Sequence, residues 1–392
     1  MKILITTDLF TTDTNGVVTS LRNLCEELEK KGHDVRILTL SEDAHSRQEI
    51  NVYYIRSMPL KVYPDVRMPM TYRHVLIKEL VEWKPDVIHS QCEFFSYWFA
   101  LRISKLTGAP IVHTYHTLYE QYVSYIFLGQ KVGGRVVSTL SRKRLKRADR
   151  VIAPTHKVKA ALENYGLHND IRVVPSGISM EKYKERLTPE ERLERRRALG
   201  IADDEFVLIN LGRLGNEKNL EEIVEFYNKA LKKGMDKLRL LIVGDGPARE
   251  SLREKAEELC ISDKVVFTGM VPQKEVQNYY QLGDTFVSAS TSETQGLTYI
   301  EASANGLPLL CRHDLCLTGV LMNGENGYEY TCEEEFIAGL EKILADGEWR
   351  REASRRSEEI AAGFDKSVFG DSIEKIYIEV INENLASENQ KK

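Results

Sequence analysis

Cysteine is scarce and scattered in this 392-residue chain. Cys25, Cys92, Cys260, Cys311, Cys316 and Cys332 form no Cys-x-x-Cys pair and have no histidine partner at zinc spacing. That excludes a disulfide framework or a structural zinc site and leaves reduced thiols in a cytoplasm as the expectation. Long apolar runs are missing too: no stretch reaches about 18 residues, so no membrane-spanning helix is expected. The opening "MKILITTD" reads as a first strand rather than a charged leader before an apolar segment, so export is not expected. Solenoid-length repeats and low-complexity tracts are absent, and with them the repeat and disordered classes.

What is present is enough apolar residue, 42%, to bury two ordinary cores. Short β-branched runs alternate with helical patterns: "KILITT", "VRILTL", "DVIHSQ", "PIVHTY" and "RVIAPT" in the first half, "FVLINLGRL", "LRLLIVGDG", "KVVFTGMV", "TFVSAS" and "LPLLCR" in the second. Such alternation predicts two doubly wound α/β domains with parallel sheets. The expected boundaries are 1–180 for the first domain, a charged linker region over 181–205 with a Thr-Pro-Glu-Glu helix start, and 206–365 for the second. A C-terminal helix over 366–392 would follow, packing back on the first domain and fraying at "ASENQKK". The net charge of −5 hides an asymmetry: residues 1–150 carry 22 bases against 16 acids, and the remainder carries 32 against 43. A positive first half points toward an anionic partner.

Ligands of open parallel sheets collect at the carboxyl ends of the strands, near helix N-termini. "LGRLGNEKNL" there brings Arg213 and Lys218 over one crevice, where two cations suit a pyrophosphate; the plainer alternative is a solvated loop with two surface bases. "VGDGP" supplies Gly244 and Gly246 for close backbone approach, and "FTGMVPQKEV" offers backbone groups around Met270 and Val271 to a flat heterocycle, although ordinary loops read the same way. In "TSETQGLTYIEASANG", Glu293 falls in a loop and Glu301 inside a short helix. The N–H groups of Gln295, Gly296 and Leu297 can hold a phosphate, one carboxylate can take sugar hydroxyls and the other a ribose diol. For Glu301 the alternative is an ordinary helix-surface residue.

"GRLGNEKN", "VGDGP", "FTGMVP", "ETQGLTYIEA" and "MNGENGYEY", in that order, resemble the C-terminal domain of family 4 retaining glycosyltransferases. "NGVVTSLRNLCEELEKKGHDV" and "VPSGISMEKY" match the same family, and "HTYHTLYEQYVSY" looks most like its bacterial diacylglycerol glycosyltransferases. The resemblance implies the GT-B fold, two Rossmann-like domains facing across a cleft, the first binding acceptor and the second nucleotide sugar. It implies that Arg213 and Lys218 neutralise the leaving diphosphate, Glu293 and its neighbour Thr294 meet the donor sugar, and Glu301 holds the ribose. Gly16 would let the first loop approach the phosphates, and His116 would bind a sugar hydroxyl near the anomeric carbon. His113, by strand alternation, is expected to be a satisfied histidine in the sheet. A phosphate oxygen of the leaving group would take the acceptor proton, consistent with the lack of a second carboxylate pair for nucleophile and acid. No Asp-x-Asp occurs, which disfavours a metal-bridged diphosphate. The nucleotide sugar, UDP-linked by resemblance, is then a co-substrate, with no cofactor or metal. Rivals are a transferase acting on a soluble metabolite, polysaccharide or protein, a GT-B epimerase, and a silent nucleotide-binding module.

Residues 131–150 hold eight bases and one acid: Lys131, Arg135, Arg142, Lys143, Arg144, Lys146, Arg147 and Arg150 against Asp149. Val136, Val137, Leu140 and Leu145 give this segment an apolar side, and it follows "YEQYVSYIFLG", where Tyr119 and Tyr122 sit beside an apolar acceptor path. A solvated helix face is the alternative. The membrane reading places the protein on the inner face of the cell membrane, on anionic lipid, with no nucleic-acid partner.

Overall fold

Apolar strands and amphipathic helices build two parallel sheets in the computed structural model of the chain, which describes residues 1–10, 16–43, 45–60, 67–116, 139 and 141–391. The chain divides into two units, Met1–Gly177 with Lys366–Lys392, and Ile178–Asp365. The first unit contains β1 (Lys2–Thr6), α1 (Gly16–Lys30), β2 (Asp34–Ser41), β3 (Arg47–Glu49), β4 (Val52–Pro59), β5 (Arg67–Pro69), α2 (Val75–Trp83), β6 (Val87–Ser90), α3 (Phe95–Thr107), β7 (Ile111–Thr114), β8 (Arg150–Ala153), α4 (His156–Asn164) and β9 (Ile171–Val173). Its sheet runs β3-β4-β2-β1-β6-β7-β8-β9, parallel from β4 onward. β3 and β5 pair antiparallel with β4. The order reverses between β1 and β6, so the loops after those strands open away from each other.

The second unit contains α5 (Pro189–Ala198), β10 (Phe206–Leu211), α6 (Leu220–Lys232), β11 (Leu238–Val243), α7 (Arg249–Glu258), β12 (Val265–Phe267), β13 (Thr285–Ser288), α8 (Leu297–Ala304), β14 (Leu309–Arg312), β15 (Gly327–Tyr330), α9 (Glu333–Ala345) and α10 (Gly347–Ala362). Its wholly parallel order, β12-β11-β10-β13-β14-β15, has its reversal between β10 and β13. Strands covered on both faces need continuous apolar runs, and Val207, Leu208 and Ile209 of β10 are fully buried. On α6, Leu220, Ile223, Val224 and Tyr227 recur at helical spacing as the buried face. Glu221 and Glu222 at its start and Lys229 and Lys232 at its end oppose the helix dipole.

Residues 181–205, expected as a linker, are folded into the second unit. Thr188 and Glu191 form a reciprocal capping box around Pro189 that starts α5. Arg192 and Arg196 share Asp284, each at 2.7 Å. Arg196 is buried and also donates to the Leu282 carbonyl. Tyr183 and Ile201 join the core of this unit. Charge density alone does not distinguish solvated arginines from arginines that satisfy buried carbonyls, and Arg196 is of the second kind.

The C-terminal helix, α11 (Lys366–Lys391), belongs to the first unit. Phe369, Ile373, Ile376, Tyr377 and Val380 bury one face in a cluster with Leu21, Leu24 and Leu28 of α1. Lys366 pairs with Glu26 at 2.5 Å. The stretch expected to fray continues this helix through Lys391.

Candidate functional site

In the second unit the loops after β10 and β13 meet at the strand-order reversal. Lys218 Nζ lies 2.5 Å from Glu293 Oε1, both side chains about one-fifth exposed. Arg213, half exposed, is held by Glu217, a partner that the sequence did not point to. The backbone knits these loops together: Leu214 N donates to Asp245 O (2.9 Å) and Gly244 N to Gly269 O (3.1 Å). Gly244 has φ +129, and a Cβ there would stand 1.9 Å from Gly212 O, so the close approach it permits is between neighbouring loops. A Cβ on Gly246 would likewise lie 2.5 Å from Leu214 O. Met270 is exposed and Val271 packs partly against the core.

Gln295 and Gly296 are buried and Thr294 is partly so. Gly296 sits at φ +73 directly before Leu297, and a Cβ would meet the Tyr299 ring at 2.3 Å. α8 therefore begins on a residue that has no side chain to cap it, and its first-turn N–H groups carry the positive end of the helix dipole. One turn in, Glu301 accepts from the Tyr280 hydroxyl at 2.9 Å. Burial raises its pKa, and hydrogen bonds from Tyr280 and Tyr183 oppose that rise. Neither tyrosine was singled out from sequence, although Tyr183 closes the motif "VPSGISMEKY". Fixed cations, a helix start on a glycine and two carboxylates can bind an anion that carries hydroxyl-bearing groups. Among the described residues, no group of three or more His, Cys, Asp or Glu is placed to hold a metal ion.

Gly16 and His116 belong to the first unit. Gly16 opens α1, and residues 11–15 lie outside the described residues. His116 follows β7, and its Nε2 is 2.7 Å from Gln91 Oε1 at the end of β6. Burial pushes its pKa down to about 4, so the ring is neutral. His89 bridges Tyr377 Oη (2.6 Å) and Thr114 Oγ1 (2.7 Å). His113 is fully buried, as alternation predicts, but edge-on to Tyr97 and Tyr115. Neither of its ring nitrogens finds a hydrogen-bond partner among the described residues, so it is not the satisfied histidine expected. Nearby, Asp8 caps α3 by accepting from Ser96 N (2.6 Å) and Phe95 N (3.2 Å). Burial raises the Asp8 pKa and pushes that of Glu93, 3% exposed, up to about 8.

Tyr119, Tyr122, Lys131, Arg135, Val136, Val137 and Leu140 lie outside the described residues. Arg142, Lys143, Lys146 and Arg147 are exposed and Leu145 is buried. Two of the bases depart from the expected surface. Arg144 donates to Glu93 O (2.8 Å) and stands 6.0 Å over the Phe94 ring, while Arg150 is buried against Asp170 and Glu383. Among the described residues, no helix is long and apolar enough to cross a membrane.

The chain matches the profile of Glycosyltransferase Family 4 over residues 14–182 and that of Glycosyl transferases group 1 over residues 191–360. It is 34% identical to an alpha-monoglucosyldiacylglycerol synthase of Streptococcus pneumoniae, over 98% of this chain and 87% of that protein. It is 30% identical to the alpha-monoglucosyldiacylglycerol synthase of Acholeplasma laidlawii, over 100% of both. Among solved structures, Anabaena Alr3699/HepE in complex with UDP superposes with a TM-score of 0.76 at 17% identity, over 97% of this chain and 100% of that one. Sucrose-phosphate synthase from Thermosynechococcus elongatus does so with a TM-score of 0.75 at 20% identity, over 98% and 100%.

Proposed function

The chain belongs to glycosyltransferase family 4, with GT-B architecture and hexosyltransferase activity, and from that premise we propose that it moves a hexose from a UDP-sugar to diacylglycerol or a glycosyl-diacylglycerol, with retention. The observation that carries this reading is the Lys218–Glu293 contact beside the start of α8, where Gly296 offers no side-chain cap. A diphosphate needs the cation and the helix dipole, and a sugar needs the carboxylate, at one place. UDP bound in HepE supports the uridine, and the names of the two bacterial relatives support the lipid acceptor.

In the proposed reaction the bond from the anomeric carbon to the diphosphate oxygen breaks, and the acceptor hydroxyl oxygen bonds to that carbon on the same face. The acceptor proton passes to an oxygen of the departing phosphate. Arg213, Lys218 and the N–H groups of α8 take up the charge that develops on the diphosphate. Glu293 binds donor-sugar hydroxyls, Glu301 with Tyr183 and Tyr280 holds the ribose, and neutral His116 hydrogen-bonds a sugar hydroxyl. No step uses a metal, a proposal that rests on the missing Asp-x-Asp. Arg142, Lys143, Lys146 and Arg147 are proposed to hold the protein on anionic lipid, which would make it peripheral at the cytoplasmic face of the membrane.

The test is a screen of nucleotide sugars against diacylglycerol, glycosyl-diacylglycerol and soluble acceptors, following nucleotide release and product. Release that rises with the lipids is expected. Transfer confined to soluble acceptors, or interconversion of the sugar, would replace this reading.

A further inference from the structure

We infer that Gln91 is a positioning residue for His116: it fixes the imidazole as the Nε2–H tautomer and leaves Nδ1 as an acceptor for a donor-sugar hydroxyl. This rests on the role proposed above for His116.

The backbone of Gln91 is pinned across the strand-order reversal, its N–H donating to Thr6 O at 2.8 Å. Its side chain is 4% exposed and directs Oε1 to His116 Nε2 at 2.7 Å. An amide oxygen only accepts, so with Oε1 turned to the ring the nitrogen opposite carries the proton. A free neutral imidazole populates both tautomers, and a buried partner on one nitrogen decides between them. The other end of the amide, Nε2, is buried and finds no hydrogen-bond partner among the described residues.

Charge does not disturb the choice. The titratable groups that couple to His116 are His113 on β7 and His89 on β6, and burial keeps both neutral, His113 with its pKa pushed down to about 3 and His89 well below its ordinary value. His116 itself is neutral above about pH 4. A neutral ring whose Nε2–H is committed to Gln91 has only a lone pair at Nδ1 to offer. It therefore takes a hydrogen bond from a hydroxyl and cannot give one, which makes that sugar hydroxyl a donor in the complex.

The experiment is nitrogen-15 NMR of the histidine-labelled full chain, with steady-state kinetics, for wild type, Gln91→Leu, Gln91→Glu and His116→Ala. Wild type should show His116 as the Nε2–H tautomer alone. Gln91→Leu should show a mixture and lose about tenfold in kcat, the worth of one hydrogen bond, with donor KM little changed. In Gln91→Glu a carboxylate beside the ring raises its pKa, so kcat should climb with pH near neutrality where wild type is flat. An Nδ1–H tautomer in wild type, or an unchanged tautomer in folded Gln91→Leu, overturns the inference. Full activity in His116→Ala would instead refute the role of His116 and leave the tautomer result to judge Gln91.

Discussion

In the second unit the groups at the strand ends are charged and mostly paired: Lys218 with Glu293, Arg213 with Glu217, and Glu301 under two tyrosine hydroxyls. In the first unit the groups at the equivalent strand ends are titratable but held neutral by burial: His116, His113 and His89 without their protons, Glu93 with its own at neutral pH. The difference follows from burial, and it bears on what each set can bind. Partly exposed ion pairs cost little to exchange for a charged ligand. Buried neutral donors and acceptors suit hydroxyls, whose hydrogen bonds need matching direction rather than charge.

The contrast breaks most visibly at Lys218. Lys218→Ala removes the cation from beside Glu293, so kcat should fall by about 10²–10³ at saturating donor, read in a turnover assay. Wild-type turnover would end the idea of a charge clamp. Glu93 sharpens the other half. Its folded-state pKa, about 8, lies above the ordinary 4.5, so the folded chain holds the proton more tightly than the unfolded one. The associated stability is full below about pH 4.5 and is lost as pH rises through about 8, on the order of 5 kcal/mol. Urea midpoints at pH 5 and pH 9 should show that loss in wild type and a smaller one in Glu93→Gln. Equal losses would mean that Glu93 is ionised throughout.

A smaller effect is expected for Glu301→Gln. Removing the carboxylate should weaken UDP binding roughly tenfold in calorimetry. Because burial raises the pKa of Glu301, wild-type affinity should fall as pH drops toward that raised value, and the variant should lose the trend. Unchanged affinity would take the ribose away from Glu301. On transfer itself the smallest effect belongs to the surface. Arg142→Glu/Lys143→Glu/Lys146→Glu/Arg147→Glu should reduce flotation with anionic vesicles at low salt, each base contributing about 1 kcal/mol before screening, and leave transfer to a dispersed acceptor unchanged. Equal flotation of both proteins would remove the membrane role.

The two halves also differ in how far they could be read from sequence. The loops of the second unit are contiguous motifs, so Arg213, Lys218, Glu293, Gly296 and Glu301 are legible there as candidates, and the family resemblance supplies their roles. Their partners are not: Tyr183 lies in a charged stretch that reads as linker, and Tyr280 reads like any core aromatic. In the first unit, "DVIHSQ" reads as a strand, and nothing in it reveals that Gln91 turns to a histidine 25 residues away. Arg144 and Arg150 were counted with a basic surface because charge runs carry no information about which members find buried carbonyls or carboxylates. The alternation of strands and helices was legible throughout, since parallel strands must be apolar on both faces. The packing of α5 was not, because Arg196 is buried by hydrogen bonding rather than by hydrophobicity.

The most direct measurement is proton NMR of the lipid product formed from UDP-α-D-glucose and diacylglycerol in chelator-treated buffer. The account predicts an α-linked glucosyl-diacylglycerol, formed at the same rate as with magnesium and with one UDP released per glycoside. A β-linked product, a strict need for magnesium, or UDP release with no glycolipid would contradict it.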